Sequence, residues 1–217
     1  MVNSPDPMGT VKVVGSMKNV MWQGQLGVRI DLDTIADKTG LYGLGPLTGL
    51  TGELLINDGR TYISRVTSDT TMSVEVGGPS GAPFFVYANV TDWREVPLPP
   101  TVTSIAELET FIDKQTRNQA RPFAFKLVGT VTSANIHVQN LPPGTPVSSP
   151  KEAHQGQTSY SVADEAVEII GFFSTEHQGV FTHHDSFLHM HLLTAAGDRM
   201  GHLDGLVPGG MRLFLPE

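Results

Sequence analysis

Ser186-Phe187-Leu188-His189-Met190-His191-Leu192-Leu193-Thr194, then Ala195-Ala196-Gly197-Asp198-Arg199-Met200, then Gly201-His202-Leu203-Asp204, is the stretch that decides how this chain is read. The first segment reads as a strand, the second as a turn and the third as the start of a return strand. Side chains alternate faces along a strand, so His189 and His191 share one face. An antiparallel neighbour can bring His202 onto that same face. Three neutral imidazoles converging from a rigid hairpin make an open three-histidine metal site, with positions left for water or substrate. Phe187, Leu188, Leu192 and Leu193 make the surroundings apolar, so the site is expected to be partly buried.

Working outward, the 217 residues suffice for one sizeable domain or two halves sharing a core. A net charge of −8 and the lack of a Lys/Arg cluster argue against a nucleic-acid partner. No apolar run approaches the roughly 20 residues needed to span a bilayer. The start, Met1-Val2-Asn3-Ser4-Pro5-Asp6-Pro7, lacks the basic and apolar regions of a signal peptide. A cytoplasmic location is expected, with export of a chain whose leader has been removed as the alternative. The chain has no cysteine, so a metal must be held by His and carboxylate ligands.

The 23 glycines and 15 prolines punctuate many short segments, as in a strand-rich protein. The pattern predicts an α+β fold: two strand-rich halves with mixed or antiparallel sheets and few helices. The halves are residues 1–98 and 99–217, one compact unit hinged at Pro97, Pro99 and Pro100. Strands are expected over 11–14, 27–30, 53–56, 60–64 and 84–89, then over 123–132, 167–173, 187–194 and 211–215. Asn57-Asp58-Gly59 signals a tight hairpin. One helix is expected over Asp31–Lys38, stopping near Gly40. A second opens at the capping box Ser104-Ile105-Ala106-Glu107 and runs to about Asn118. Leu141 to Gln157, with four prolines, reads as a long ordered loop. Tyr62 and Phe84-Phe85-Val86-Tyr87 read as core; His154 and His177 read as solvated.

These blocks resemble the α-acetolactate decarboxylases. His189-Met190-His191 and Gly201-His202-Leu203-Asp204 match a His-x-His strand followed, eleven residues later, by a histidine. Gly43-Leu44-Gly45, Gly52-Glu53 and the hairpin to Tyr62 resemble the family's upstream block, and Gly171-Phe172-Phe173-Ser174-Thr175-Glu176 the segment before the metal hairpin. The resemblance covers about Val14 to Asp204. It implies an acetolactate-decarboxylase-like fold and conversion of 2-acetolactate to acetoin with loss of carbon dioxide. It also implies zinc on His189, His191 and His202, with Glu53 beside it. Two positions depart from the pattern. Where the family places an arginine eight residues after its Gly-Thr, the chain has His137 after Gly129-Thr130. Where the family's tail returns a glutamate to the site, the chain offers Glu217.

Such a decarboxylation needs an electron sink, which zinc supplies as a Lewis acid, and a proton donor. Glu53 is the expected acid. A protonated His137 would hold the substrate carboxylate, more weakly than an arginine fork. His183, His184, Glu176 and Glu217 are candidates to support the ligands or the substrate. The expected partners are a small keto acid and a second copy of the chain in a homodimer. The alternatives are a zinc-dependent lyase or hydrolase acting on a different keto acid, ester or lactone, and a non-enzymatic, metal-stabilised binding module.

Overall fold

The computed structural model describes residues 9–217, so the proline-rich start Met1 to Pro7 lies outside the described residues. In chain order the elements are β1 (Lys12–Val14), α1 (Met17–Gln23), β2 (Ile30–Asp31), β3 (Leu41–Pro46), β4 (Glu53–Asn57), β5 (Arg60–Val66), β6 (Met72–Val76), β7 (Gly81–Ala82), β8 (Phe85–Asn89) and β9 (Trp93–Pro97). They continue with α2 (Ile105–Gln115), β10 (Phe123–Val138), α3 (Pro150–Ala153), β11 (Thr158–Phe173), β12 (Leu188–Thr194) and β13 (Met200–Pro216). Among these residues no helix is long and apolar enough to cross a membrane.

The first sheet runs β1-β8-β3-β4-β5-β6, antiparallel throughout. The second runs β10-β11-β12-β13-β9, and β10 also pairs with β13. That extra pairing closes β10, β11, β12 and β13 into a ring, which hides edges that would otherwise template association. Trp93–Pro97 precedes the boundary expected at 98 yet pairs with β13. As the end strand of its sheet, β9 tolerates Pro97, whose missing N–H breaks no ladder bond in a central strand.

Alternation sorts the side chains into layers. Leu188, Met190 and Leu192 point into the core of the second sheet, where Phe125, Leu127, Ile136 and Leu213 meet Leu108 and Ile112 of α2. The opposite face meets the first sheet: Leu193, Ile170 and Phe172 pack against Tyr42, Leu44, Leu55 and Val86. His189 and His191 therefore lie in the layer between the sheets. A separate cluster of Val20, Met21, Leu50, Phe84, Leu141 and Ala153 roofs that end of the layer. Each fully buried large side chain here stabilises by about 1.5–3 kcal/mol relative to exposure.

Several local expectations are corrected. Asp31–Lys38 is not a helix: Asp31 ends β2 and its carboxylate accepts from the Asp33 amide, opening a single 3₁₀ turn over Leu32–Thr34. Asp37 caps the Thr39 amide in another turn, and Ile30, Leu32 and Ile35 plug the outer core of the first sheet. Short acidic side chains here satisfy backbone donors locally, which favours turns over a continuing helix. The Ser104 helix ends at Thr116, whose amide and hydroxyl both donate to the Ile112 carbonyl. Ser104 Oγ accepts from the Glu107 amide, and the Glu107 carboxylate reaches back to the Thr103 amide and the Ser104 hydroxyl. Helix α1 was not expected; Ser16 caps its start and Gly24, at φ +62°, ends it. Strands β10, β11 and β13 are far longer than their apolar runs, because ladder bonds between long antiparallel partners carry them through polar residues.

Candidate metal centre

The site is a row across three strands. His191 on β12 is the direct cross-strand partner of His202 on β13, and His202 is the direct partner of His137 on β10. His189 stands two residues along β12, on the same face. Ring centroids are 5.2 Å apart for His189–His191, 4.9 Å for His189–His202, 5.6 Å for His191–His202 and 4.6 Å for His137–His202. One ring nitrogen from each of His189, His191 and His202 lies within 4.8 Å of the others.

The register of β10 aims His137 at this row. Phe123, Phe125, Leu127 and Val131 face the core, and then Ala134, Ile136 and Val138 do. The switch from odd to even positions falls at register shifts against β13 around Val131. A bulge re-aims every side chain beyond it, and without that one His137 would point into the apolar core. Gly201 makes the close β10–β13 contact feasible beside the site: a Cβ there would sit 2.6 Å from the His137 carbonyl oxygen.

Glu53 arrives from the other sheet as the first residue of β4 and is buried. Its Oε2 lies 3.6 Å from His191 Nε2, and its Oε1 accepts from the Gln139 amide at 3.3 Å. Gly52 before it is required by space, since a Cβ would meet the Ser64 carbonyl at 2.2 Å. On the far side of the row, His137 Nδ1 lies 2.8 and 2.9 Å from the two Asp204 oxygens. A carboxylate only accepts, so Nδ1 carries the proton and Nε2 is left for Gln139 and the cavity.

Electrostatics follow from burial. Loss of solvent pushes His189 down to about 3, and the nearby imidazoles of His183 and His137 lower it further. Burial, reinforced by neighbouring histidines, holds His191 and His202 well below the ordinary imidazole value. Burial also pushes the Glu53 carboxyl well up; Asp204 adds to this and the Gln139 amide opposes it. The three imidazoles are neutral donors at physiological pH. His189 Nδ1, both ring nitrogens of His191 and Gln139 Oε1 are buried without a hydrogen-bond partner. Unpaired buried polar atoms are costly, about 1–3 kcal/mol each. Converging, unpaired, neutral imidazoles beside a carboxyl fit a zinc ion, which takes nitrogen and oxygen donors and in open sites keeps one position free.

A small cavity opens onto these groups, with Met17, Met21, Leu50 and Phe84 as its apolar wall and Glu53, His137, Gln139, His189 and His202 as its polar one. Among the sequence candidates, Glu53, His137, His189, His191 and His202 are brought together. His183 reaches the mouth, and exposed His184 lines only the outer groove. Glu176 is exposed, its amide donating to Ser174 Oγ, and Glu217 lies in a different cavity beside Arg94 and Lys114; neither is at the histidines. His154, expected to be solvated, is exposed yet lines the mouth, and His177 is half-buried, bonded to Ser174 and packed on Phe181. Phe84, read as core, does pack, with its ring 6.2 Å from that of His189. Asp204 and Gln139 were missed as site residues. Each stands two residues beyond a candidate histidine, and the period of two marks both.

Comparison with solved structures places the fold. The α-acetolactate decarboxylase of Bacillus subtilis strain 168 superposes with a TM-score of 0.77 at 20% identity, covering 95% of this chain and 85% of that one. A Staphylococcus aureus protein of unknown function, described as similar to α-acetolactate decarboxylase, gives 0.76 at 18% identity, covering 94% and 84%. A comparison with curated protein sequences finds no match. The family model for α-acetolactate decarboxylase matches residues 14–213, which include the histidine row, Glu53 and both sheets, so the chain belongs to the α-acetolactate decarboxylase family and is a carboxy-lyase.

Proposed function

We propose that the protein converts 2-acetolactate to acetoin and carbon dioxide, with zinc held by His189, His191 and His202. The observation that carries this reading is the pair of buried imidazoles of His189 and His191, with ring nitrogens that lack partners, converging with His202 beside buried Glu53 in a member of this family. Bound there, zinc would supply Lewis acidity for the charge that develops on the ketone oxygen as the carboxylate leaves.

The protein's own groups do the rest. When the carbon–carbon bond to the carboxylate breaks, its electron pair stays on the substrate and one carbon must take a proton. Glu53, whose carboxyl is held protonated by burial, gives that proton and regains one from solvent. The Gln139 amide fixes the orientation of Glu53 through Oε1. Asp204 fixes the ring of His137 through Nδ1. Leu50, Phe84, Met17 and Met21 keep bulk water from the reacting carbon. Glu176 and Glu217 have no part in this scheme. The proposal includes zinc as the resident metal and a homodimer, which metal analysis and sedimentation respectively measure. Zinc-loaded protein mixed with racemic acetolactate is expected to release acetoin; stoichiometric zinc with no acetoin would sink the substrate assignment.

One observation favours a second reading. Among the described residues no Arg or Lys lines the cavity, and His137 is committed to Asp204. A site without a cationic side chain to hold a carboxylate suits a neutral ester or lactone hydrolysed at the same centre. His137→Arg distinguishes the two: a gain in acetolactate turnover marks divergence from that substrate, and a loss assigns His137 to it.

A further inference from the structure

Gln139 follows β10 directly, is 4% exposed and lines the chamber at the histidines. Gln157, just ahead of β11, stands opposite it, because the ladder between the two strands runs out to Val138 paired with Thr158. Gln139 Nε2 donates to Gln157 Oε1 at 3.2 Å, which ties together the two ends of the loop between the strands. The same nitrogen lies 3.5 Å from His137 Nε2. Asp204 holds the His137 proton on Nδ1, so Nε2 presents a lone pair and accepts from Gln139. Both hydrogens of the Gln139 amide nitrogen are thus used. The amide cannot turn over without setting its oxygen against the His137 lone pair. Oε1 is the atom left over, buried and with no hydrogen-bond partner.

A buried acceptor without a partner is destabilising, and beside a reaction site it marks the place of a donor. An amide oxygen is neutral and only accepts. In a 2-hydroxy-3-oxo acid the carboxylate and the ketone also only accept, and the 2-hydroxyl is the sole donor. It is therefore the one group of such a substrate that Oε1 can bond.

We infer that Gln139 is a specificity-determining residue, whose Oε1 accepts a hydrogen bond from the 2-hydroxyl of the substrate. The inference rests on the decarboxylase reading above and deepens it: the centre selects 2-hydroxy-3-oxo acids over 3-oxo acids that lack the hydroxyl. Asp204 and His137 act on the substrate through Gln139, by fixing which way its amide faces, and Gln157 does the same from the other side. A site that completes a buried polar group with a substrate hydroxyl rejects the analogue without it, since binding then leaves that group unpaired. An ester or lactone with no hydroxyl offers Oε1 nothing.

The test uses the full, zinc-loaded chain with 2-hydroxy-2-methylpropanoate and 2,2-dimethylpropanoate. The two are nearly equal in size, differ by hydroxyl against methyl, and lack the ketone, so neither is decarboxylated. Calorimetry gives the ratio of their affinities. Gln139→Met keeps the backbone amide that holds Glu53 and removes the side-chain acceptor. Any bond of the hydroxyl to the metal is common to both proteins and cancels in the comparison. The preference for the hydroxy acid is expected to fall about tenfold in Gln139→Met, the scale of one hydrogen bond, with the dimethyl analogue binding as before or tighter. Gln157→Leu, outside the chamber lining, frees the amide and is expected to lower the same preference about twofold. An unchanged preference in Gln139→Met, or an equal loss for both ligands, overturns the assignment. Should Gln139→Met lose its zinc or its fold, Gln157→Leu decides, and an unchanged preference there overturns it. Failure of the parent reading looks different: no acetoin from acetolactate, while the fall in preference persists.

Discussion

His183, His184 and Asp185 bring three ligand atoms within 4.8 Å of one another, as His189, His191 and His202 do. Only a few residues of chain separate the two groups, and their physics is opposite. The first lies in an exposed loop, where His183 Nδ1 is 3.4 Å from Asp185 and water can satisfy every polar atom. The second hangs from paired strands, with His189 and His191 cut off from water and His202 half-buried, and ring nitrogens of His189 and His191 have no partner. Proximity alone does not make a metal site. The buried group has already lost its hydration and its rotamer freedom in folding, so an ion bound there orders nothing further. An ion at the loop would have to displace water and immobilise long, mobile side chains.

The sharpest way to break this contrast is His191→Ala. Zinc content is expected to fall to background and activity by about 10³-fold or more, the scale of several kcal/mol of Lewis-acid stabilisation. The double change His183→Ala/His184→Ala should leave bound zinc stoichiometric. Circular dichroism of the His191→Ala protein separates two meanings of the site. A folded but inactive protein indicates a catalytic ion, and an unfolded one a metal-stabilised binding module.

Glu53→Gln is expected to keep zinc and lose activity by about 10²–10⁴-fold, the range of a lost proton donor. Full activity in that variant would assign the proton to another group. Asp204→Asn should cost about 10–100-fold, as for groups that orient the residues around a metal. An unchanged pH–rate profile with only a stability loss would limit Asp204 to a structural role.

A smaller effect concerns the apoprotein and pH. The folded values of His189, His191 and His202 lie below the unfolded value of about 6.5. The unfolded chain therefore binds protons that the fold does not, and stability declines as pH falls below about 6.5 toward 3. Glu53 works the other way: its raised value makes the fold hold a proton that the unfolded chain releases above about 4.5. Three histidines against one carboxyl leave a net two protons. The free energy of unfolding should drop by up to about 3 kcal/mol per pH unit between 6 and 5. Urea titrations of metal-free protein at pH 7, 6 and 5 measure this, and a flat series contradicts a buried, neutral histidine set.

Much of the site was legible because it is local. The His-x-His spacing on a strand, the hairpin at residues 195–199 and the Asn57-Asp58-Gly59 turn all depend on neighbours a few residues apart. The failures were of two kinds. Asp31–Lys38 has a helix-like composition, but Asp31 and Asp37 satisfy backbone donors within single turns, a competition that periodicity does not register. Glu176 and Glu217 carry suitable carboxyl groups, but their strands and loops end elsewhere.

By itself the sequence determined that strands dominate, that His189 and His191 share a face, and that a metal would meet nitrogen and oxygen rather than sulfur. These follow from backbone periodicity and from composition. Tertiary structure alone decided that β10 closes against β13, that a bulge turns His137 toward His202, and that Asp204 occupies its Nδ1. It also decided that Glu53 crosses from the other sheet to His191, held by the amide of Gln139, 86 residues away in the chain. The physical reason is burial: removal of water makes the histidines neutral and Glu53 protonated, and water is excluded only when both sheets and α1 close over the site together.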